Sequence, residues 1–351
     1  MLTRHFEKLL LRPEDVAPSA DDLEVIGAFN PGAIAVDDGI VLMVRVVERP
    51  RERRAGFTPL PRWEEGRVVV DWVADDELEL LDSRVVRRQS DGLLRLTFTS
   101  HLQMFHGPDG RSIERAGTRL LPETRCEAYG VEDPRITRID DRFYVTYVSV
   151  SRHGAATALA STDDFVSFER HGVIFCPENK DVVLFPEPIA GQYATLHRPT
   201  TAHPFCTPEI WLARSADLIH WGNHQPLAGS RADWESDRVG AGPPPIRTDR
   251  GWLAIYHASC QNDSAGQVGT YSAGAMLLDL DDPSRVLARP AEPILLPQAE
   301  FEQQGFVPNV VFPTGVVCRG DMLSVFYGAA DTHTGVVELS LAELLDSLLL
   351  S

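Results

Sequence analysis

The stretch ALASTDDFVSFERHGVIF, residues 158–175, consists of a strand of small apolar residues, a Ser or Asp turn, an aromatic residue and a second strand. The same order recurs in WLARSADLIHWGNHQPL (211–227) and, more loosely, in AMLLDLDDPSRVLARPAEPIL (275–295). The copies are spaced roughly 50–65 residues apart, which is near the length of one four-stranded β-propeller blade. About five such units would fill the chain. The repeat therefore predicts an all-β protein, a five-bladed β-propeller with short helical terminal segments.

Strand-like runs rich in Val, Ile, Phe and Tyr, bounded by Gly, Asp, Asn or Pro, support the all-β prediction. They are residues 32–48, 67–74, 95–105, 142–150, 251–259 and 322–330. Helical periodicity is confined to residues 1–11 and 340–351, the latter with an apolar stripe of leucines ending at Leu348. These end segments would pack either on the protein's own edge or on a partner subunit in a homo-oligomer.

The chain reads as one domain over residues 1–351, with peripheral segments at 1–20 and 338–351. A β-helix would need shorter repeats, and two β-sandwiches would need a linker that the dispersed prolines do not mark. Because the loops of every blade of a propeller converge at one end of its channel, we expect the functional residues to be scattered through the sequence.

The net charge of −18 argues against nucleic acid and anionic membrane as partners, since both select basic surfaces. Five widely spaced cysteines form no CxxC pair and predict neither a disulfide framework nor a zinc site. We find no signal peptide or apolar run long enough to span a membrane, and therefore expect a cytoplasmic protein.

The segment YGVEDPRIT, residues 129–137, sets Glu132 and Asp133 side by side before a proline and Arg135. Asp-Pro before a strand is a common surface turn. Alternatively, the neighbouring carboxylate raises the pKa of one member of the pair and the proline fixes the backbone, as a rigidly held proton donor requires.

Four further segments place polar residues at strand ends or tight turns. Arg198 lies in ATLHRPTT, Arg238 precedes the GAGPPP turn, His257 ends an apolar strand, and Asp331 follows Gly-Ala-Ala. Taken singly, each also fits a structural role. No HxH, HExxH, GxSxG or Walker pattern occurs, so metal, serine-nucleophile and nucleotide chemistry are not indicated, and we expect no metal site.

Several of these motifs together resemble glycoside hydrolase family 130, the mannoside phosphorylases and related β-mannosidases. The resemblance runs from about residue 28 to 345. It is carried by NPGAIAV, AYGVEDPRIT, PENKDVVLFPE, LHRP, VGAGPPPI, GFVPNVVFP and YGAADTHTGV, in that order. It implies a five-bladed β-propeller with the active site in its central funnel, in agreement with the repeat.

The resemblance also implies roles for single residues. Asp133 is implied as the catalytic proton donor of an inverting reaction, acting through a hydroxyl of the bound mannose. Asn30, Arg45 and Asp331 match positions that contact that mannose, and we place Glu132 with them as substrate-binding. The implied phosphate-binding group consists of Arg198, His257, Arg214 and Arg238.

The function expected from this resemblance is inverting phosphorolysis of a β-mannoside to α-mannose 1-phosphate, with inorganic phosphate as co-substrate and no other cofactor. Phosphate is itself an anionic nucleophile, so the second carboxylate of an inverting hydrolase is not needed. An inverting β-mannosidase is the alternative, with Glu209 or Glu235 as its base. A non-catalytic carbohydrate-binding propeller is a third reading.

This chain departs from the family pattern at three places. Arg238 stands where many relatives have lysine, GPPPI replaces the more frequent GAPPI, and Glu132 occupies a position that is tyrosine in some subgroups. The VEDPR and ENKD forms resemble the subgroup that acts on β-1,2-linked mannosides more than the β-1,4 enzymes. We therefore predict a β-1,2-linked manno-oligosaccharide substrate, with β-1,4 linkage as the alternative.

Overall fold

A computed structural model describes residues 2–82, 84–200, 205–231, 233–260 and 269–349 of the protein. In this part of the chain antiparallel β-strands dominate, which confirms the all-β prediction. The strands are β1 (Phe6–Leu11), β2 (Leu23–Val36), β3 (Gly39–Pro50), β4 (Phe57–Glu64), β5 (Arg67–Ala74), β6 (Leu78–Leu80), β7 (Val85–Arg88), β8 (Leu94–Leu96), β9 (Thr99–Gly107), β10 (Arg115–Leu120), β11 (Gly130–Ile139), β12 (Arg142–Ser151), β13 (Gly154–Thr162), β14 (Glu169–Phe175), β15 (Asn179–Leu184), β16 (Tyr193–Pro199), β17 (Ile210–Ser215), β18 (Trp221–Ala228), β19 (Arg238–Ala241), β20 (Ile246–Thr248), β21 (Gly251–Cys260), β22 (Thr270–Leu278), β23 (Val286–Ala288), β24 (Val311–Arg319), β25 (Met322–Ala329) and β26 (His333–Ser340). The α-helices are α1 (Glu300–Gln303) and α2 (Leu341–Leu349), and short 3₁₀ turns span Pro13–Asp15, Asp75–Glu77, Arg125–Glu127 and Asp233–Glu235. Among the described residues, no helix has both the length and the apolar composition needed to cross a bilayer.

Within the described residues, five sheets contain four or five strands, and we number them I to V along the chain. Their strand orders are β10-β9-β3-β2 in sheet I, β11-β12-β13-β14 in sheet II, β15-β16-β17-β18 in sheet III, β19-β21-β22-β23 with β20 also on β21 in sheet IV, and β1-β26-β25-β24 in sheet V. The connection between β3 and β9 carries two smaller sheets, β4-β5 and β6-β7-β8. Except for the N-terminal strand β1 and the long connection between β3 and β9, each large sheet uses strands that are near one another in sequence.

Neighbouring sheets pack face to face through separate apolar clusters. The clusters join Leu102 and Val145 of sheets I and II, Leu159 and Leu184 of II and III, Leu196 and Ala254 of III and IV, Ile255 and Val325 of IV and V, and Leu42 and Val336 of V and I. Strands β2, β11, β15, β19 and β24 each lie at one edge of their sheet, and we call them the first strands of sheets I to V. Contacts join β2 to β11, β11 to β15, β15 to β19 and β24 to β2, while sheet IV contacts β24 through β21 and β22. The series of sheet-to-sheet contacts thus returns from sheet V to sheet I.

The sequence repeat corresponds to the third and fourth strands of sheets II, III and IV. In sheet II the Thr162 hydroxyl accepts the backbone N–H of Phe165 at 2.9 Å, and in sheet III the Ser215 hydroxyl accepts that of Leu218 at 3.0 Å. Phe165 and Leu218 have φ of 57° and 67° and are buried. The Ser/Thr turn therefore tightens the connection and turns one apolar side chain into the core.

A buried glutamate before the first strand anchors sheets II, IV and V in a similar way. In each, a tyrosine of the second strand and an arginine at or next to the fourth strand surround the glutamate. The groups are Glu127 with Tyr147 and Arg170, Glu235 with Tyr256 and Arg289, and Glu302 with Tyr327 and Arg4. These contacts fix the chain just before it enters β11, β19 and β24.

The two ends of the chain form different secondary structures, a strand at the N-terminal end and a helix at the C-terminal end. The prediction of a helix at residues 1–11 is wrong, because Phe6–Leu11 form β1, which pairs with β26 as the fourth strand of sheet V. A short isolated helix is marginally stable, and the open edge of β26 offers hydrogen bonds that a helix could not use. The C-terminal helix is confirmed as α2, whose Leu344, Leu345 and Leu348 pack into the cluster between sheets IV and V.

Candidate active site

Residues from the first strands of all five sheets line one cavity of about 260 Å³. Its polar lining consists of Asn30, Arg45, Arg84, Glu132, Asp133, Lys180, Asp181, Arg198, Arg238, Tyr271 and Asp331. Its apolar wall is formed by Ile26, Phe29, Val47, Val85, Leu96, Phe98, Phe306, Val307, Val310 and Phe312. A concave pocket into which several polar and charged groups converge is a candidate ligand site.

A larger cavity of about 650 Å³ lies between sheets I and II, lined by the turns at Asp37, Asp141 and Asp163. It contains none of the residues that the sequence singled out. Those turns follow β2, β11 and β13 at the strand ends remote from Asn30 and Asp133. We therefore assign the candidate active site to the smaller cavity.

Three of the polar residues that line this cavity lie where the pairing of a first strand with its neighbour is irregular. The register of each first strand shifts around Asn30 in β2, Asp133 in β11 and Asp181 in β15. All three residues have a positive φ, of 51°, 48° and 54°. Asn and Asp tolerate this left-handed conformation better than other residues with a Cβ. Each bulge thus redirects the strand at a short polar side chain that lines the cavity.

Asp133 is held by two predicted sugar-binding residues. Its Oδ1 accepts hydrogen bonds from Asn30 Nδ2 at 2.8 Å and Arg45 Nη1 at 3.2 Å, while Arg45 Nη2 donates to Glu132 Oε1 at 2.7 Å. Arg135 Nη1 donates to the Asp133 backbone carbonyl at 2.8 Å. Burial alone would raise the pKa of Asp133, but Arg45, Arg135 and the Asn30 hydrogen bond outweigh it and lower the pKa.

Asp331 faces the same cavity from the turn after β25, with a φ of 47°. Its pKa is raised, first by burial and further by the charges of Asp133 and Glu132, although Arg84 and Arg45 act in the opposite direction. The cavity therefore holds two carboxyl groups whose environments move their pKa values apart, a feature that is concentrated at functional sites.

Cations gather on the side of sheets III and IV. Arg198 Nε donates to Asp181 Oδ2 at 2.5 Å, and Arg135 Nη2 donates to Asp181 Oδ1 at 3.2 Å. Lys180 and Arg238 line the cavity beside them. In a chain of net charge −18, binding of an anion would require such a local concentration of positive charge.

His257 lies behind this group and does not line the cavity itself. Its Nε2 is 3.3 Å from Asp181 Oδ2, and burial lowers the pKa of the imidazole despite the nearby carboxylate. Gly240 passes over the pair so closely that a Cβ there would meet Asp181 Oδ2 at 2.3 Å and His257 Nε2 at 2.5 Å. The segment predicted as a glycine-rich turn therefore begins as strand β19, and position 240 is glycine because the backbone there approaches two buried side chains.

The structure brings most of the residues predicted from sequence together. Seven of them line the cavity: Asn30, Arg45, Glu132, Asp133, Arg198, Arg238 and Asp331. Arg214 does not; it pairs with Asp282 at 3.5 Å. In the antiparallel register it lies opposite Ala194, four residues along β16 from Arg198. This offset is roughly 13 Å at about 3.3 Å per residue, too far for one small ligand.

Sequence reasoning missed Arg84, Lys180, Asp181 and Tyr271 as cavity residues. Lys180 and Asp181 had a signal, since they are charged residues directly before the apolar run VVLF. Arg84 had none, because it lies in the connection between β3 and β9, whose fold the repeat does not predict. The Asp82 carboxylate fixes Arg84 there, accepting from its Nη2 at 3.1 Å.

Neither glutamate considered as a hydrolytic base lines the cavity. Glu235 is buried and paired with Arg231 and Arg289, and Glu209 lies against Gly229. Among the described residues, no group of three or more His, Cys, Asp or Glu side chains is arranged to hold a metal ion.

Comparison with known proteins gives a consistent result. Residues 74–349 match a family model described as beta-1,4-mannooligosaccharide phosphorylase, Glyco_hydro_130. The chain is 36% identical to a beta-1,2-mannobiose phosphorylase of Listeria innocua, over 98% of both chains. It is 42% identical to a 1,2-beta-oligomannan phosphorylase of Thermoanaerobacter sp., over 70% of this chain and 81% of that protein. The solved structure of the Listeria innocua enzyme with beta-1,2-mannobiose superposes with a TM-score of 0.91, covering 97% of both chains.

Fold, cavity and relatives together define an all-β enzyme of carbohydrate chemistry. The chain belongs to glycoside hydrolase family 130, the family of mannoside phosphorylases.

Proposed function

We propose that the protein is an inverting mannoside phosphorylase that converts a β-1,2-linked manno-oligosaccharide and inorganic phosphate to α-mannose 1-phosphate and a shortened sugar. The observation that carries the proposal is one cavity in which Asp133 and its sugar-binding neighbours face the cations Lys180, Arg198 and Arg238. The relative that matches nearly the whole chain is named for β-1,2-mannobiose, which supports this linkage over β-1,4.

We further propose that residues 1–351 form one five-bladed β-propeller around this cavity. Sheets I to V would be its blades, and β1 would join the ends of the chain within sheet V. The packing of sheet V on sheet I and the convergence of all five first strands on the cavity support this architecture.

In the proposed reaction, Asn30, Arg45 and Asp331 hold the mannose whose anomeric carbon reacts. Phosphate, held by the cations, attacks that carbon from the face opposite the leaving sugar, so that a C–O bond to phosphate forms as the glycosidic bond breaks. Asp133 supplies a proton to the leaving oxygen, directly or through a mannose hydroxyl. Overall the proton that HPO₄²⁻ loses balances the one that the leaving sugar gains.

Catalysis then rests on orientation and charge neutralisation. Arginine presents a planar fork that matches phosphate oxygens. Fixed cations in an enclosed site stabilise the developing charges without reorganisation and contribute several kcal/mol to lowering the barrier. Water as nucleophile would need a base, and Glu209 and Glu235 both lie outside the cavity lining.

The test is to incubate the protein with β-1,2-mannobiose with and without phosphate. We expect mannose 1-phosphate and mannose in equal amounts with phosphate, and no cleavage without it. Synthesis from α-mannose 1-phosphate with a panel of acceptors would then give the linkage. Release of free mannose alone, independent of phosphate, would contradict the proposal. In Asp133→Asn we expect turnover to fall by about 10²–10⁴-fold with sugar binding retained.

A further inference from the structure

A negative charge lies inside the cationic group that would bind phosphate. Asp181 is 1% exposed and yet borders the cavity. Its pKa lies well below the ordinary range, because Arg198, His257 and Arg135 outweigh the effect of burial, so the group is ionised at neutral pH. An ionised carboxylate next to an anion site costs affinity unless the bound anion donates a hydrogen bond to it.

Asp181 retains the capacity to accept such a bond. Each carboxylate oxygen accepts about two hydrogen bonds. Among the described residues Oδ1 receives one donor, Arg135 Nη2 at 3.2 Å, whereas Oδ2 receives Arg198 Nε and also faces His257 Nε2 at 3.3 Å. Gly240 leaves no free volume on the remaining side of the Asp181–His257 pair. Oδ1 therefore has fewer donors than Oδ2 and keeps the capacity to accept one more hydrogen bond.

Tetrahedral anions differ in whether they can supply that donor. Near neutral pH phosphate and arsenate carry at least one proton, whereas sulfate is fully ionised and has only acceptor oxygens. A carboxylate accepts a hydrogen bond from the O–H of phosphate or arsenate, but it repels an unprotonated oxygen of sulfate. It therefore favours binding of the protonated anions and disfavours binding of sulfate.

We propose that Asp181 is the selectivity and positioning residue of the phosphate subsite. It orients Arg198 through Nε and accepts a hydrogen bond from the protonated oxygen of HPO₄²⁻, and it excludes sulfate. The three unprotonated oxygens then face Lys180, Arg198 and Arg238. This inference rests on the proposed phosphorolysis and adds to it which anions the enzyme can use.

The experiment compares the KM for phosphate with the inhibition constant for sulfate, in the wild-type protein and in Asp181→Asn. The substitution keeps the shape of the side chain and removes its charge. We expect the ratio of the sulfate constant to the phosphate KM to be large in the wild type and to fall by about tenfold or more in the variant, the effect of one hydrogen bond to a charged group. If Asp181 acted only through its charge, the substitution would change the phosphate KM and the sulfate inhibition constant by the same factor. The ratio of the two constants would then stay unchanged.

Asp71→Asn is the matched control. Asp71 also bridges two arginines, accepting from Arg62 Nε and Arg95 Nη1 at 3.0 Å each, but it does not line the cavity. We expect the ratio to stay at the wild-type value in this variant.

Calorimetry on the wild-type protein gives a second measurement that needs neither turnover nor a folded variant. Arsenate should bind about as well as phosphate, and sulfate at least about tenfold more weakly. Equal binding of sulfate and phosphate, or an unchanged ratio in Asp181→Asn, would overturn the inference. Failure of the wild type to form mannose 1-phosphate would instead contradict the proposed function, while calorimetry would still test Asp181.

Discussion

At the scale of single residues, the main problem is the proton on Asp133. A general acid must be protonated before it can act, yet Arg45 and Asn30 lower the pKa of Asp133 in the free protein. These are the same two side chains that are predicted to bind the mannose. A sugar that takes over their hydrogen bonds would leave Asp133 buried with fewer stabilising partners, so its pKa would rise on binding.

This account predicts that β-1,2-mannobiose binding, measured without phosphate, takes up protons at neutral pH. The binding enthalpy should therefore depend on the ionisation enthalpy of the buffer, and in Asp133→Asn this dependence should disappear. Because the acid must be protonated, kcat should fall as the pH rises through the pKa of Asp133 in the complex. A buffer-independent enthalpy in the wild type would count against Asp133 as the donor.

Asp331 leads to a prediction about stability. Since its pKa is raised in the folded state, its ionisation weakens the fold, and the associated stability is lost as the pH rises through the folded-state pKa. In Asp331→Asn we expect the free energy of unfolding at pH 7 to increase by on the order of 1 kcal/mol, with mannobiose affinity reduced. Urea unfolding measures the first quantity.

The control for this prediction is Asp141→Asn, at a fully exposed turn position. It should change the free energy of unfolding by less than about 0.5 kcal/mol. If Asp331→Asn were less stable than the wild type at pH 7, Asp331 would be a structural residue rather than a strained functional one.

At the scale of strands and turns, the site is built from departures from regular pairing. Asn30, Asp133 and Asp181 each lie at a register shift with a positive φ. Sequence patterns predicted long strands such as β5, β12, β21 and β25 correctly because Val, Ile and aromatic residues mark them well, whereas β1 was predicted as a helix. The patterns did not give the bulges, since an Asx residue in a strand can also end it. Asp181 was missed as a site residue for this reason.

Gly240→Ala tests the close approach of β19 to the Asp181–His257 pair. A Cβ at this position would come within 2.5 Å of both Asp181 and His257, so the pair must separate. We expect the KM for phosphate to rise by about tenfold or more, with a smaller change in the KM for mannobiose. Gly222→Ala in β18 is the control, because its Cβ would meet nothing within 4 Å. Equal effects of the two substitutions on the KM for phosphate would contradict the assignment.

The chain ends show why tertiary contacts limit prediction from sequence. The spacing of Phe6, Leu9 and Leu10 fits a helix as well as a strand, and only the open edge of β26 decides between them. The C-terminal leucines, by contrast, form a regular apolar stripe, which α2 buries in the cluster between sheets IV and V.

At the scale of the whole molecule, the chain carries a large negative charge and yet collects cations from sheets III and IV in one cavity. These cations are distant from one another in sequence and meet only in the folded protein. Each local motif, taken alone, therefore fitted a structural role as well as a functional one. The motifs and the family resemblance together located seven of the cavity residues, but they also included Arg214, which the register of β17 places elsewhere, and His257, which does not line the cavity. Neither the local motifs nor the family resemblance predicted the connection between β3 and β9 that carries Arg84.

The position of β1 as the fourth strand of sheet V leads to a prediction about the stability of the whole fold. Deleting residues 1–11 removes β1 and leaves the edge of β26 open, together with part of the apolar cluster between sheets V and I. We expect a melting temperature lower by several degrees and a greater tendency to aggregate. Deleting only residues 1–3, which keeps β1 and Arg4, should have little effect. An unchanged melting temperature after the longer deletion would show that β1 is dispensable.

The most direct test of the central claim is proton and phosphorus NMR during turnover of β-1,2-mannobiose in phosphate buffer. The account predicts that α-mannose 1-phosphate is the first product formed from the reacting mannose, because phosphate attacks opposite the leaving group in the cavity of Asp133 and Arg198. Accumulation of free mannose without a sugar phosphate, or of β-mannose 1-phosphate, would contradict it.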